Sequence, residues 1–228
     1  MCNIKDNIIS IKKDINDCEI KANRKKNSVI LMAVSKARNI DDIKKAYSVG
    51  QKDFGENYIQ EAIKKIIDLK DFGINWHFIG SVQSNKSKLI AQYFDWIHSI
   101  DKISTLKKIN DYSNDLKKIM NVCIQVNVDL ESTKAGLNIE EVENFLNEAS
   151  YLKNINLRGL MAIPLQKSDF SLQLKSFKKL KNLFDSLVYK GYKLDTLSIG
   201  MSADYRAAIE SGSTIIRIGA AIFGERTK

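Results

Sequence analysis

The chain has 228 residues, 44% hydrophobic and 28% charged, with only one Pro and 11 Gly; it can fill a core and has no composition for a long disordered linker. Its formal charge of +9 comes from 36 Lys and Arg spread along the whole chain, which reads as general composition rather than as a nucleic-acid patch. Cys2, Cys18 and Cys123 lack ligand-like spacing, the N-terminal segment lacks a signal-peptide core, and no run reaches the roughly 18 apolar residues of a membrane helix, so a cytoplasmic protein without membrane or nucleic-acid partner is expected.

An N-terminal helix is expected over about residues 3 to 24. The first strand is Val29–Ser35, and it delivers Lys36 at its end. Ile40, Ile43, Ala46 and Tyr47 then share one face of a helix over 40 to 49. The second strand, Asp53–Gly55, runs into Glu56 and Asn57. Ile59, Ala62, Ile63, Ile66 and Ile67 predict a helix over 58 to 69. The third strand, Trp76–Gly80, carries His77, and the polar stretch SVQSNK follows it. The fourth, Trp96–Ser99, carries His98; the fifth, Asn121–Val128, carries Asn127. Val142, Phe145, Leu146 and Ala149 predict a helix over 139 to 152. The sixth strand, Leu157–Ile163, ends near Met161 and Pro164. The seventh is Thr196–Ile199, with Ser198, and the eighth is Thr214–Ile218, with Arg217.

The fifth and sixth strands are nearly continuous apolar runs, as parallel strands buried on both faces are. Eight strands alternating with helices predict an α/β fold: one (β/α)8 barrel of TIM type over residues 1–228, with the extra N-terminal helix outside the count. An open doubly wound sheet is the alternative, because the second and fourth strands are short. In a barrel the site lies at the C-terminal ends of the strands. Ser35-Lys36, Gly55-Glu56-Asn57, His77 and Gly80, Asn127, Met161 and Pro164, Ser198 to Ser202 and Arg217 to Gly219 collect there.

Two loops have the make-up of a phosphate site. SIGMSAD (198–204) reads as a strand, a Gly turn and a helix start, with Ser202 either capping the helix or donating to a phosphate. Asp204 suits the helix dipole but would repel a phosphate unless it points away. IIRIGAAIFGE (215–225) supplies Gly219, Ala220 and an arginine after the last strand. Barrels often hold phosphate between these two loops. A lysine across the mouth from a phosphate cradle suggests a Schiff base with a phosphorylated aldehyde. The plain alternative is an ordinary strand-end lysine. His77 is either an acid/base group or a satisfied core residue; His98 reads as core.

The blocks AVSK (33–36), FGENYIQEA (54–62), WHFIGSVQSNKSK (76–88), FDWIHSID (94–101), RGLMAIP (158–164), LSIGMSAD (197–204) and GSTIIRIGAAIFG (212–224) resemble the pyridoxal phosphate homeostasis proteins of YggS/PROSC type. The resemblance runs through essentially the whole chain, in order. It implies a barrel like the N-terminal domain of alanine racemase, with pyridoxal 5'-phosphate (PLP) as cofactor on Lys36. It implies phosphate contacts from Ser202 and the Arg217–Gly219–Ala220 turn, with Ser198, Gly200 and Met201 shaping the strand 7 side. Asn57, His77, Asn127 and Met161 would line the rest of the mouth. Glu131 and Lys134 belong to a further block without a fixed role. Position 220 departs from the pattern: Ala stands where relatives often carry a hydroxyl.

The resemblance implies a monomeric, non-catalytic PLP carrier, with PLP and apo PLP-dependent enzymes as partners. The residues lean the same way. The PLP ring is a stronger electron sink when its nitrogen has a carboxylate partner. The strand 8 segment offers Arg217 instead. A barrel that uses nearly all 228 residues leaves no room for the second domain with which racemases of this fold close their site. A PLP-dependent racemase is the alternative, a sugar-phosphate aldolase a further one.

Overall fold

In the computed structural model, which describes residues 3–129 and 135–225, eight parallel strands pair in chain order and the eighth closes on the first. They are β1 (Ile30–Val34), β2 (Asp53–Glu56), β3 (Asn75–Phe78), β4 (Trp96–Ile100), β5 (Met120–Gln125), β6 (Ile155–Met161), β7 (Thr196–Ser198) and β8 (Ile215–Ile218). All eight expected strands are present, the short second and fourth included. The sheet is a closed (β/α)8 barrel, and the open alternative falls.

The outer layer follows from helical periodicity. Between the strands stand α2 (Ile40–Tyr47), α3 (Ile59–Asp68), α4 (Ser87–Tyr93), α5 (Ile103–Asp115), α6 (Val142–Ala149), α7 (Phe170–Tyr189) and α8 (Tyr205–Glu210), and the short α9 (Ala220–Phe223) follows β8. The core sits between the helices and the outer faces of the strands, where Phe54, Phe78, Phe94, Phe177, Ile97 and Leu106 are fully buried. Burying each such side chain contributes roughly 1.5–3 kcal/mol.

The N-terminal helix α1 (Ile4–Lys21) is the extra element. Asn3 caps it, and Ile4, Ile8, Ile11 and Ile15 form its buried stripe. It packs on α2, α8 and α9. Asn7 Nδ2 donates to Ile222 O, and Asp14 accepts from Tyr205 and Arg206 of α8. Glu19, fully buried, accepts from the N–H groups of Asn27 and Val29 and from the Ser28 hydroxyl. That one carboxylate sets the path of the chain into β1.

Two expected boundaries move. β5 stops at Gln125, and Val126 makes a single bridge to Leu137. Asn127 therefore lies beyond the strand, where its N–H donates to Leu137 O. Ser202 is not a cap: α8 begins three residues later, with Asp204 at its N-cap position. The Asp204 carboxylate accepts from the Met201 N–H at 2.6 Å and closes the turn that a serine cap was expected to close. Glu131, Lys134 and Arg226 lie outside the described residues.

Candidate functional site

A cleft of about 320 Å³ opens at the C-terminal end of the barrel. Lys36, Asn57, Met161, Met201, Ser202, Arg217, Gly219 and Ala220 line it, so eight of the twelve expected site residues face one space. Val34, Ile79, Ile163, Gln166, Ala203 and Asp204 complete the lining. A second hollow, lined by Val34, Lys36, Arg38, Gly219, Ala220 and Gly224, adjoins it on the β1–β8 side. Val34, Lys36, Gly219 and Ala220 belong to both. Pairing of β1 with β8 explains this meeting of residues far apart in the chain: Ala33 is in register with Ile218.

The backbone on both sides of Lys36 is fixed by a buried ionic cluster. Ser35 is fully buried, and its hydroxyl donates to Glu56 Oε1 at 2.6 Å. Lys65 of α3 donates to the same oxygen at 2.8 Å, to Ser35 O at 2.7 Å and to Glu61 Oε1 at 2.5 Å. Glu61 Oε1 also accepts the Ala37 N–H at 2.7 Å. Ala37 is in the left-handed region, φ 58°, a conformation a non-glycine residue holds only when its surroundings impose it. Burial pushes the Glu56 carboxyl above its usual range, against the opposing pull of Lys65 and Ser35. Its second oxygen, Oε2, is buried without a hydrogen-bond partner among the described residues.

On the opposite wall, Gly200 and Ser198 act from beneath the surface rather than as lining. Gly200 has φ +98°, and a Cβ there would stand 2.6 Å from Ala208 Cβ. Its carbonyl accepts the Arg217 N–H at 2.9 Å, which ties the β7 turn to β8. The Arg217 guanidinium is buried and donates to Ser198 O, Ser198 Oγ and Ala162 O. Burial lowers its pKa to about 10, so it remains a cation at neutral pH. Asp204, which lines the same wall, is raised by burial, while the Met201 N–H and the field of Arg217 oppose the rise. One of its oxygens is engaged by the Met201 N–H, while the residue still lines the cleft. Asn57 presents a buried Oδ1 without a partner, and Gly80 passes so close to the Asn57 carbonyl that a Cβ there would stand 2.1 Å from it.

His77 is corrected. It does not reach the mouth; it is 1% exposed inside the barrel, bonded to Asp53 and His98. β3 places it two residues below Ile79, which is the residue that does line the cleft. Period-2 alternation shows which side chains point inward but not how deep they lie. His98 is core, as expected, but hydrogen-bonded at both ring nitrogens. Asn127 does not line the cleft; it sits against the 135–137 segment. Asp204 and Arg38 were not expected as lining. A carboxylate in a helix's first turn and an arginine after a strand are each common enough to carry no signal alone.

The chain matches the family described as alanine racemase, N-terminal domain, over residues 11–227. It is 45% identical to a protein of Vibrio alginolyticus named pyridoxal phosphate homeostasis protein, over 99% of both chains. It is similar to the solved structure of PipY from Synechococcus elongatus with PLP bound: TM-score 0.86, 32% identity, covering 97% of this chain and 100% of that one. The Clostridium difficile alanine racemase shares the fold, with TM-score 0.76 at 17% identity, over 99% of this chain and 60% of that one.

Proposed function

The chain belongs to the pyridoxal phosphate homeostasis protein family, and on that premise we propose that it binds PLP at the barrel mouth and serves as a carrier in PLP homeostasis. One observation carries the reading: Lys36, Ser202, Arg217 and the Gly219–Ala220 turn line the same cleft. The residues fit the group. Lys36 would hold the group covalently, its amine condensing with the aldehyde with loss of one water. Ser202 and the small-residue backbone of the Gly219–Ala220 turn at the start of α9 suit a phosphate. Arg217, held as a cation, offers donors only, and so favours an unprotonated ring nitrogen. When bound, PLP supplies a reactive aldehyde and an electron sink; with Arg217 at the nitrogen the sink is weak.

This arrangement favours holding over turnover. The titratable side chains that line the cleft are Lys36, Asp204 and Arg217, and His77, the candidate counter-base of a racemase, is not among them. Borohydride reduction of the PLP-loaded chain, followed by peptide mass mapping, should place the adduct on Lys36, and Lys36→Ala should lose it. A chain that takes up no PLP, or carries the adduct elsewhere, overturns the reading. Release to an apo PLP enzyme faster than its activation by equal free PLP would support the carrier role. Exchange of the α-proton of alanine in D₂O at more than a trace rate, abolished in Lys36→Ala, would favour the racemase instead. Among the described residues no helix is long and apolar enough to cross a membrane.

A further inference from the structure

Below the cleft, a file of polar side chains crosses the barrel interior. Asp53 Oδ1 of β2 lies 3.2 Å from His77 Nε2 of β3. His77 Nδ1 lies 3.0 Å from His98 Nε2 of β4. His98 Nδ1 lies 3.0 Å from Ser198 Oγ of β7. Ser198 Oγ lies 2.9 Å from Arg217 Nη1 of β8, and Arg217 lines the cleft. His77, His98, Ser198 and Arg217 are each 5% exposed or less. Trp96 stacks on His77 at 5.5 Å, and its outer face carries Arg158 at 4.6 Å.

With Asp53 ionised and both imidazoles neutral, the carboxylate end of the file fixes its direction. A guanidinium only donates, and an ionised carboxylate only accepts. Arg217 donates to Ser198 Oγ. The Ser198 hydroxyl is then free to give its proton to His98 Nδ1. His98 must carry its single proton on Nε2 and give it to His77 Nδ1. His77 in turn carries its proton on Nε2 and gives it to Asp53. Every hydrogen bond points from the cleft toward the floor, and no link has two donors or two acceptors. Burial, His77 and Arg217 together hold the His98 pKa well below its ordinary value. Burial would raise Asp53, but the hydrogen bond and the field of His77, the hydrogen bond from Asn75 and the field of Lys12 on α1 bring it below the ordinary range. Asp204 and Cys123 are the other titratable groups whose fields reach Arg217.

We propose that Asp53 is a positioning residue for the site: from the barrel floor it sets the proton order of the His77–His98–Ser198 file and so holds Arg217 as an oriented cation beneath the bound ring. The role at the ring rests on the PLP reading above; the proton order does not. Without the carboxylate the file has no fixed acceptor end, both directions become accessible, and the Ser198 hydroxyl can turn its proton away from His98.

The chain has only two histidines, and both are in the file, so imidazole resonances report on it alone. The experiment is long-range ¹H–¹⁵N correlation on the ¹⁵N-labelled full chain without ligand at neutral pH, assigned with His77→Gln. Both rings are expected as Nε2–H tautomers. In Asp53→Asn both should move toward mixed tautomers, including His98, which does not touch residue 53; Asp53→Glu should restore the order. A doubly protonated His77, or an Nδ1–H tautomer at His98, in the unaltered chain overturns the proposal even if no variant folds. A response confined to His77 in Asp53→Asn reduces Asp53 to a local structural partner and also overturns it. With PLP added, the visible absorption band of Asp53→Asn should shift relative to the parent. An ordered file in a chain that takes up no PLP would sink the PLP reading and leave the proton order standing.

Discussion

Lys65 Nζ lies 2.8 Å from Glu56 Oε1, in a pair whose side chains are 6% and 0% exposed, and both groups also bind Ser35, the residue before Lys36. An ion pair this deep adds little stability compared with an apolar pair of the same volume, because both charges have lost their water. Its structural consequence is local. The pair joins α3 to the end of β1, and Glu61 extends the grip to Ala37. Lys36 thus leaves the strand between two residues that cannot drift.

Lys65→Met removes the cation and leaves Glu56 buried alone. The expected loss is about 3–5 kcal/mol, the cost of breaking one side of a buried pair. Urea denaturation at neutral pH measures it. Because burial already raises Glu56, the loss should shrink as the pH falls and that carboxyl takes up a proton. Where the variant remains folded, PLP should also be held more weakly than by the parent.

Gly200→Ala tests the β7 turn. The residue has φ +98°, and the new methyl would meet Ala208 Cβ at 2.6 Å. Backbone strain and overpacking together should cost roughly 2–4 kcal/mol. The shift in the urea midpoint, with the denaturant slope unchanged, is the measurement. A cost under 0.5 kcal/mol, on the order of ordinary surface substitutions, would show that the turn is not constrained as described.

The barrel was legible because each strand is a short apolar run punctuated by polar strand ends. Lys36, Ser202 and Gly219 were legible for the same reason: strand-end chemistry is local in sequence. The Glu56–Lys65 cluster was not, since Lys65 sits on a helix whose lysines read as solvated. Nor was the histidine file, whose links join residues 24, 21, 100 and 19 positions apart and meet only when the barrel closes. His77 was placed at the mouth by its strand and by the resemblance, while the residue alone also allowed the core reading that the structure bears out. Ser202 was read as a cap because Ser and Asp are equally good caps and only the backbone path decides between them.

Asp14→Asn tests how α1 is fastened. Burial would raise this carboxyl, but hydrogen bonds from Arg206 and Tyr205 outweigh it and the pKa falls below the ordinary 3.8. A folded pKa below the unfolded one stabilises the protein above the unfolded value, and that contribution is lost as the pH falls through the folded one. Arg206 is 64% exposed, so solvent screening keeps the effect near 1 kcal/mol. The variant should therefore be less stable by about that amount at pH 7, and the gap should narrow as the pH falls through the lowered carboxyl pKa, as followed by thermal unfolding across an acid pH series.

Ala220→Ser tests a position where the resemblance implies a hydroxyl and this chain has Ala. Ala220 opens α9, is exposed, and lines both hollows beside Lys36. A hydroxyl there adds a donor where a phosphate would sit. It displaces no packed neighbour, because the position is open, and serine is tolerated in a first helical turn. A hydrogen bond to a charged acceptor contributes about 1–2 kcal/mol net when the donor is already held by the backbone. PLP affinity should rise by roughly fivefold to thirtyfold. The gain should be larger for PLP than for pyridoxal, which has no phosphate, when both are titrated by absorbance. Equal gains for the two ligands would remove the phosphate from this end of the cleft and return position 220 to a purely structural role.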